Sequence, residues 1–192
     1  MNELQSLIIE QTPKTPQIDM NQLTGELIIS GKSIPENAAK VYEPALSWVN
    51  EYIQHARPTT NLRLNLEYFN TASSLWLAKI LKVLIRINEP DYVLIIHLYL
   101  PLEEFEEMKE FEDIKEAFVP ISDIFIGAVP SIGIKLYGTD EDGKIIKEKE
   151  GLHLAKKNSK CPNCGSNIKP DDTICPICKT PILSIVEEPF SA

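Results

Sequence analysis

The chain has 192 residues and a net charge of −9 at pH 7, with 28 acidic against 19 basic side chains. Residues 1–155 hold 14 basic and 24 acidic side chains, whereas residues 156–192 hold 5 basic and 4 acidic ones. The acidic balance of the longer part argues against nucleic acid or an anionic membrane as the main partner, since both require clustered positive charge. No apolar run approaches the roughly 20 residues of a membrane helix, and the first residues lack the basic and apolar parts of a signal peptide.

The first predicted elements are strands. Residues 7–10 begin in a strand-like pattern, and Pro13 and Pro16 interrupt regular pairing after them. Residues 17–20 and 26–31 flank a turn that ends at Gly25, and this pattern predicts a hairpin.

A helix is predicted to follow this hairpin. Residues 33–36 match a capping box, with Ser33 as the cap, a proline in the first turn and Glu36 three residues after the cap. The segment that follows is predicted to end near Pro58. Its apolar residues have helical spacing: Ala38, Val41, Tyr42, Ala45, Trp48, Val49, Tyr52 and Ile53.

The next two elements meet at a junction that carries three hydroxyl side chains. Residues 61–70 alternate as a strand does, with one predicted apolar face of Leu62, Leu64, Leu66 and Tyr68. A helix is predicted from Thr71 to about Asn88, burying Leu75, Leu77, Ala78, Leu81 and Leu84. A hydroxyl at a helix start lies beside unpaired N–H groups and the positive end of the helix dipole. The residues alone favour a simple N-cap at Thr71 or Asn70.

A continuous apolar run at residues 92–98 predicts a central strand. Strand, helix, strand, helix and strand in succession predict parallel pairing with right-handed crossovers. We therefore predict an α/β fold: a mixed sheet with an N-terminal hairpin, a parallel β-α-β-α-β core whose helices pack on the sheet, and a small C-terminal module.

The segments after this core are less regular. An acidic helix is predicted over residues 102–118, as a solvated face or a surface for a partner, and an edge strand over residues 119–126. Residues 132–137 and 144–148 flank an Asp-Gly turn and predict a second hairpin. We predict four parts: an α/β domain (1–126), a hairpin extension and linker (127–155), a small module that contains all four cysteines (156–183) and a tail (184–192).

All four cysteines lie near the end of the chain, in two Cys-x-x-Cys knuckles: Cys161, Cys164, Cys175 and Cys178. Two-residue spacing lets both thiolates of a knuckle reach one ion, and two knuckles complete a tetrahedral shell. This pattern resembles a zinc ribbon over residues 160–183, with structural zinc because four thiolates leave no open position. Two disulfides or a redox motif are the alternatives. We expect a cytoplasmic protein.

No catalytic constellation is recognisable. The three histidines, His55, His97 and His153, have no Cys, Ser or carboxylate neighbour at motif spacing, and the glycines do not form a phosphate-binding loop. We interpret these histidines as packed or solvated, and we predict that the protein is not an enzyme.

Several segments together resemble a known family. Residues 12–16, 25–31, 33–37 and 42–44, Trp48 and residues 68–74 follow the order found in SiaC-like bacterial regulatory phosphoproteins. The resemblance covers about residues 5–122, and its specific parts are Pro-Glu-Asn at 35–37 and Tyr-Phe-Asn-Thr at 68–71. These proteins look like relatives of STAS-type anti-sigma-factor antagonists in architecture. The zinc ribbon is an addition to the usual short form of the family.

The resemblance implies a function for the junction. It implies that a partner kinase phosphorylates Thr71 and that a phosphatase removes the phosphate. The unmodified form would bind and activate a diguanylate cyclase. The surface that switches would be formed by Tyr68, Asn70, Ser73 and Ser74 around that threonine. The alternative is a constitutive adaptor in which the ribbon captures a partner and the α/β domain does not switch.

Overall fold

Alternation of buried and exposed residues along short segments builds the sheet on which the protein is organised. A computed structural model describes residues 4–87, 89, 92–107, 131–155, 161, 163–168, 172, 174–180 and 183–184, with the backbone alone at 150–155 and 183–184. In chain order the elements are β1 (Leu7–Ile9), β2 (Gln17–Asn21), β3 (Glu26–Ser33), α1 (Ala38–Tyr52), β4 (Thr59–Phe69), α2 (Thr71–Leu84), β5 (Val93–Pro101), α3 (Leu102–Glu107), β6 (Ser131–Thr139), β7 (Ile145–Ala155) and β8 (Leu183–Ser184).

The eight strands that the structure describes form one mixed sheet, in the order in which they occur in the chain. β1, β2 and β3 pair antiparallel, whereas β3, β4, β5 and β6 pair parallel. β7 is antiparallel to β6, and β8 pairs parallel with the end of β7. The predicted α/β fold is confirmed, with its N-terminal hairpin and its parallel core. None of the described helices is long and apolar enough to cross a membrane.

α1 and α2 pack together against the apolar residues of the sheet. The structure confirms the stripe predicted for α1, in which Tyr42, Trp48 and Tyr52 are the largest buried side chains. α2 buries Leu77, Leu81 and Leu84 as predicted, together with Ile80 and Val83, and it ends at Leu84, before the predicted Asn88.

One position of α2 was predicted wrongly. Leu75 is 62% exposed, because it lies about 200° around the helix from Leu77, which faces the sheet. Its apolar side chain therefore contributes to the protein surface beside Thr71.

The predicted capping box at Ser33 is also wrong. Ser33 is the last residue of β3 and is fully buried. The cap of α1 is Asn37, whose side chain accepts a hydrogen bond from the backbone N–H of Lys40. The pairing of β3 with β4 extends to Ser33, so this residue is held in the sheet and the helix begins later.

A β-bulge lies near the end of β4. Gly31 pairs with Leu66 and Lys32 pairs with Tyr68, so Glu67 is an additional residue. The predicted alternation holds for Leu62, Leu64 and Leu66, which pack on the core. It fails at Tyr68, which is 62% exposed, because the additional residue shifts the alternation by one and directs Tyr68 to the other face of the sheet.

The opposite face of the sheet carries a hydrogen-bonded polar cluster around His97, which is 5% exposed. Asn61 donates through Nδ2 to Glu26, so its Oδ1, 2.9 Å from Nε2 of His97, accepts from that nitrogen. Nδ1 of His97 is then the acceptor, 2.9 Å from the hydroxyl of Tyr137 and 3.3 Å from the Arg63 guanidinium. The structure confirms a packed histidine here, while His55 is exposed.

The predicted C-terminal hairpin is part of the main sheet. β6 and β7 flank a turn in which the Asp140 side chain accepts from the N–H groups of Asp142 and Lys144, and β6 pairs along its whole length with β5. α3 packs on β6 at Gly138, where a Cβ atom would lie 2.9 Å from the ring of Phe105. The remainder of the predicted acidic helix and the predicted strand at 119–126 lie outside the described residues.

The His97 cluster predicts a dependence of stability on pH. Burial, and then the charge of Arg63, lower the pKa of His97 from 6.5 to about 4. The unfolded chain therefore binds this proton more readily than the folded protein. Neutral His97 contributes its full share to the free energy of unfolding above pH 6.5, and this share is lost as the pH falls toward 4. We expect His97→Gln to remove up to about 3 kcal/mol of this dependence, measured by urea unfolding at pH 7, 5.5 and 4.5. His55→Gln is the matched control. If the free energy of unfolding changed equally with pH in both variants, the prediction would be contradicted.

Candidate functional site

The junction between β4 and α2 is built around the side chain of Asn70. Asn70 has an extended backbone, with φ of −89° and ψ of 170°, and its Oδ1 accepts from the backbone N–H of Ser73 at 2.9 Å. Its own N–H donates to the carbonyl oxygen of Ser33 at 3.0 Å. Asn70 is therefore the N-cap of α2, and Thr71 is the first residue of the helix.

A chain of buried hydroxyl groups lies beneath this cap. The Oγ atom of Ser33 is 2.7 Å from the hydroxyl of Tyr42 and donates to the Oγ atom of Ser73 at 2.8 Å. Since Ser33 has one hydroxyl proton, Tyr42 must be the donor in the first of these bonds. The hydroxyl of Ser73 then has two acceptors in reach, the Ser33 carbonyl at 3.0 Å and Oδ1 of Asn70 at 2.9 Å. The chain joins β3, α1 and α2, and all three hydroxyl residues are fully buried.

The three hydroxyl residues that open α2 differ in their surroundings. Ser73, which the sequence analysis assigned to the exposed surface, is 0% exposed. Ser74 is half-buried, and its hydroxyl donates to the carbonyl oxygen of Thr71 at 2.8 Å. Thr71 is exposed, and its hydroxyl has no hydrogen-bond partner among the residues that the structure describes. The N–H groups of Thr71 and Ala72 lie in the first turn, where a helix offers them no carbonyl.

Three large apolar side chains close to Thr71 in the sequence are exposed. Tyr68 is 62% exposed, Phe69 is 47% exposed and Leu75 is 62% exposed. The bulge at Glu67 exposes Tyr68, and the orientation of α2 exposes Leu75, about one turn after Thr71. Exposed aromatic and aliphatic groups are common at protein–protein contacts.

The four cysteines form a second candidate site. Their sulfur atoms all lie within 4.8 Å of one another, and Cys161–Cys178 and Cys164–Cys175 are each separated by 3.6 Å. A disulfide bond is about 2.05 Å long, so these cysteines are free thiols. A tetrahedral zinc site with bonds of about 2.3 Å has sulfur atoms about 3.8 Å apart, so the four residues fit a tetrahedral ion.

The two knuckles have the same local structure. In the first, Gly165 N–H donates to the carbonyl of Cys161 and Cys161 N–H donates to the carbonyl of Ser166. In the second, Lys179 and Cys175 make the equivalent bonds, with Thr180 as the second acceptor. Gly165 and Lys179 both have a positive φ, 69° and 63°. This conformation closes each turn around its sulfur atoms.

Hydroxyl groups also contact the sulfur atoms. The Oγ atom of Ser166 lies 3.0 Å from Cys164 and 3.3 Å from Cys175, and the Oγ1 atom of Thr180 lies 3.1 Å from Cys178. Burial raises the pKa of the Cys161 thiol to about 12. Burial acts in the same direction on Cys175, but bonds from Ser166 and from backbone N–H groups outweigh it and lower the pKa of that thiol to about 6. Stabilised thiolates are the form that binds metal.

Two residues of the first site were not predicted as parts of it. The sequence patterns of Ser33 and Tyr42 predict a helix cap and a core residue, and neither indicates that the Ser33 hydroxyl contacts Tyr42 and also Ser73, 40 positions away. The signal in the sequence is indirect: a buried tyrosine hydroxyl needs a hydrogen-bond partner, and a serine at the end of an apolar strand can supply one.

Comparison with known proteins adds a family. The model of the SiaC family of regulatory phosphoproteins matches residues 9–125. An uncharacterized protein of Pseudomonas aeruginosa strain UCBPP-PA14 is 31% identical over 70 residues, which are 36% of this chain and 56% of the relative. The alignment thus spans little more than half of that curated relative.

Solved structures of similar fold come from the same species. The structure of apo-SiaC from Pseudomonas aeruginosa matches with a TM-score of 0.50 and 25% identity, over 59% of this chain and 92% of that one. A structure described as the diguanylate cyclase SiaD in complex with its activator SiaC matches with a TM-score of 0.52 and 21% identity, over 68% of this chain and 99% of the matched chain. At that identity the second likeness concerns the fold alone.

The buried hydroxyl chain predicts a difference between two neighbouring serines. Ser73→Ala removes the acceptor of the Ser33 hydroxyl and leaves one buried hydroxyl proton without an acceptor, which costs about 1–3 kcal/mol of the free energy of unfolding. Ser74→Ala removes a bond at a half-buried position and should change it by less than about 0.5 kcal/mol. Urea unfolding of both variants measures the difference, and equal stabilities would show that the chain of hydroxyls does not support the cap.

Proposed function

The chain belongs to the SiaC family of regulatory phosphoproteins, and from this we propose that it is a non-enzymatic switch controlled by reversible phosphorylation of Thr71. The observation that carries the proposal is the difference in exposure between neighbouring hydroxyls. A kinase can reach the exposed Thr71, whereas Ser73 is fully buried and hydrogen-bonded.

The position of Thr71 suits a phosphate group. Phosphorylation adds about 1.5 to 2 negative charges and three acceptor oxygens. The N–H groups of Thr71 and Ala72, with the positive end of the helix dipole, can receive these oxygens. Asn70 continues to cap Ser73, so α2 keeps its structure while the charge of its surface changes.

The change acts on a surface that is apolar when Thr71 is unmodified. Tyr68, Phe69 and Leu75 present aromatic and aliphatic groups to a partner. A phosphate among them must be desolvated before the partner can pack there, and it repels nearby carboxylates. The unmodified form is therefore the binding form, and phosphorylation releases the partner.

The partners follow from the family. We propose a protein kinase and a phosphatase that act on Thr71, and a diguanylate cyclase as the output protein, since the SiaC of Pseudomonas aeruginosa is described as the activator of the cyclase SiaD. The control of cyclic-di-GMP synthesis would be the output. The free thiols of the cysteine cluster favour the reducing cytoplasm as the compartment.

The cysteine cluster is proposed to hold a structural zinc ion. Cys161, Cys164, Cys175 and Cys178 would bind it with no position left for water, and the ion would supply stability rather than catalysis. Among the described residues of this segment, Ile168 is the main buried apolar residue besides two of the ligands, so we propose that a metal keeps it folded. We propose the same division of the chain, into a regulatory domain (1–126), a hairpin extension and linker (127–155) whose strands join the main sheet, a ribbon (156–183) and a tail (184–192).

A constitutive adaptor is the second candidate, and one observation favours it. Ile174 and Ile177, in the second knuckle, are 53% and 69% exposed, and they offer an apolar surface that does not depend on Thr71. In this function the ribbon captures a partner whatever the state of the threonine.

Mass analysis and affinity capture test the switch. Intact protein purified from the native host should carry a single phosphate under some growth conditions, and Thr71→Ala should remove it. Ser74→Ala is the matched control and should keep it. Wild type and Thr71→Ala should capture the output protein while Thr71→Glu captures at least tenfold less. Capture that is lost in Ile177→Ser but is equal in Thr71→Ala and Thr71→Glu would favour the adaptor instead.

Metal analysis tests the ribbon. One equivalent of zinc should remain with the purified chain, and Cys161→Ser should reduce it, because three thiolates hold the ion less tightly than four. A strong chelator should unfold the ribbon while the far-ultraviolet signal of α1 and α2 persists. Elemental analysis and hydrogen exchange measure both effects, and Cys161→Ser with full zinc content would contradict the assignment.

A further inference from the structure

One exposed stripe of α2 begins at Thr71. Thr71, Leu75, Lys79 and Lys82 lie at intervals of four, four and three residues, and Arg86 follows in the turn after the helix. At 3.6 residues per turn these positions share one side of the helix, and all five are exposed. We call them the α2 stripe.

The charge of the α2 stripe is opposite to that of the chain. Residues 71–87 contain three cations and no carboxylate, in a protein with a net charge of −9. Lys79, Lys82 and Arg86 form no ion pair with any carboxylate in the described part of the chain, and Nζ of Lys79 lies 3.9 Å from the ring centroid of Trp76. Cations near a helix C-terminus stabilise its dipole, which accounts for Lys82 and Arg86. Lys79, more than a turn from the end, is not explained in this way.

Resting on the proposed function, we infer that the α2 stripe docks an acidic amphipathic helix of the output protein. Charge complementarity gives the sign of the partner. The spacing gives its form, because carboxylates three and four residues apart lie on one side of a helix and can meet cations at 79, 82 and 86. The exposed Leu75 and Phe69 supply apolar contacts at the other end of the stripe.

This arrangement explains how phosphate on Thr71 acts on the partner. Thr71 lies about 12 Å along the helix from Lys79 at 1.5 Å per residue, which exceeds the screening length of about 8 Å at physiological salt. The cations of the stripe therefore do not neutralise the phosphate. It instead lies at the apolar end of the stripe, where its hydration must be removed before the docked helix can pack on Leu75 and Phe69, and this cost expels that helix.

The test uses the full chain and two designed peptides. Both are helical peptides of three heptads with the same leucine positions; one carries glutamate and the other lysine at the flanking positions. Fluorescence anisotropy should show that the glutamate peptide binds at least tenfold more tightly than the lysine peptide, and that raising the salt weakens it. The variant Lys79→Gln/Lys82→Gln/Arg86→Gln should lose at least tenfold in affinity for the glutamate peptide.

Controls separate the surface from nonspecific charge. Lys40→Gln/Lys144→Gln changes two exposed lysines outside the α2 stripe and should bind the glutamate peptide as wild type does. Equal binding of both peptides, or wild-type affinity in the triple variant, would overturn the inference. Tighter binding of a 20-base-pair DNA duplex, with the same dependence on the three cations, would also overturn it. Circular dichroism checks that each variant is folded.

A phosphothreonine arm distinguishes this inference from the proposed function. Protein with phosphothreonine incorporated at 71 should bind the glutamate peptide at least tenfold less tightly. If the triple variant loses binding but the protein with phosphothreonine does not, docking on the α2 stripe is supported and the phosphorylation switch is rejected. If phosphothreonine weakens binding but the three substitutions do not, the phosphorylation switch is supported and the acidic partner helix is rejected.

Discussion

The hydrogen bonds around Asn70 and Ser73 are the constraint on which the candidate site depends. Asn70 caps α2 and binds the end of β3, while Ser73 is drawn into the chain of hydroxyls that includes Ser33 and Tyr42. Burying Ser73 fixes the rotation of α2 about its axis. Thr71, two residues earlier and about 200° around the helix, is therefore exposed, and Leu75 follows it one turn later. The cap and the exposure of Thr71 are thus consequences of the same contacts.

The sheet places this cap where a ligand or partner can reach it. In a parallel β-α unit the helix begins at the carboxyl end of its strand, and this edge of the sheet is where α/β proteins commonly bind ligands. The bulge at Glu67 adds a second effect, since it turns Tyr68 away from the core just before the cap. Without the bulge, the alternation would direct Tyr68 toward the helices, and one aromatic group near this end of β4 would no longer be exposed.

The sequence predicts what depends on local periodicity and misses what depends on contacts between distant residues. The buried stripe of α1, the central strand around His97 and the Asp-Gly hairpin all follow from spacing. Ser33 was misread because its local motif fits a capping box, whereas pairing with β4, 36 positions later at Phe69, holds it in the sheet. Leu75 was misread because an apolar side chain has the same hydrophobicity on either face of a helix. The convergence of the four cysteines can be predicted without knowing the fold, since the spacing of the ligands alone indicates it.

The cysteine cluster and the sheet share a constraint of their own. β8 pairs with the end of β7, so this pairing at one edge of the sheet joins two points of the chain, Ala155 and Leu183, that are separated by 27 residues. Closing a loop costs entropy that grows with its length, and a pair of residues as short as β8 regains little of that cost. An ion bound by all four thiolates would bring Cys161 and Cys178 together and shorten the free part of the loop. Metal binding would therefore favour the pairing of β8 with β7, and the ribbon would be coupled to the sheet even though its sequence pattern is that of an independent module.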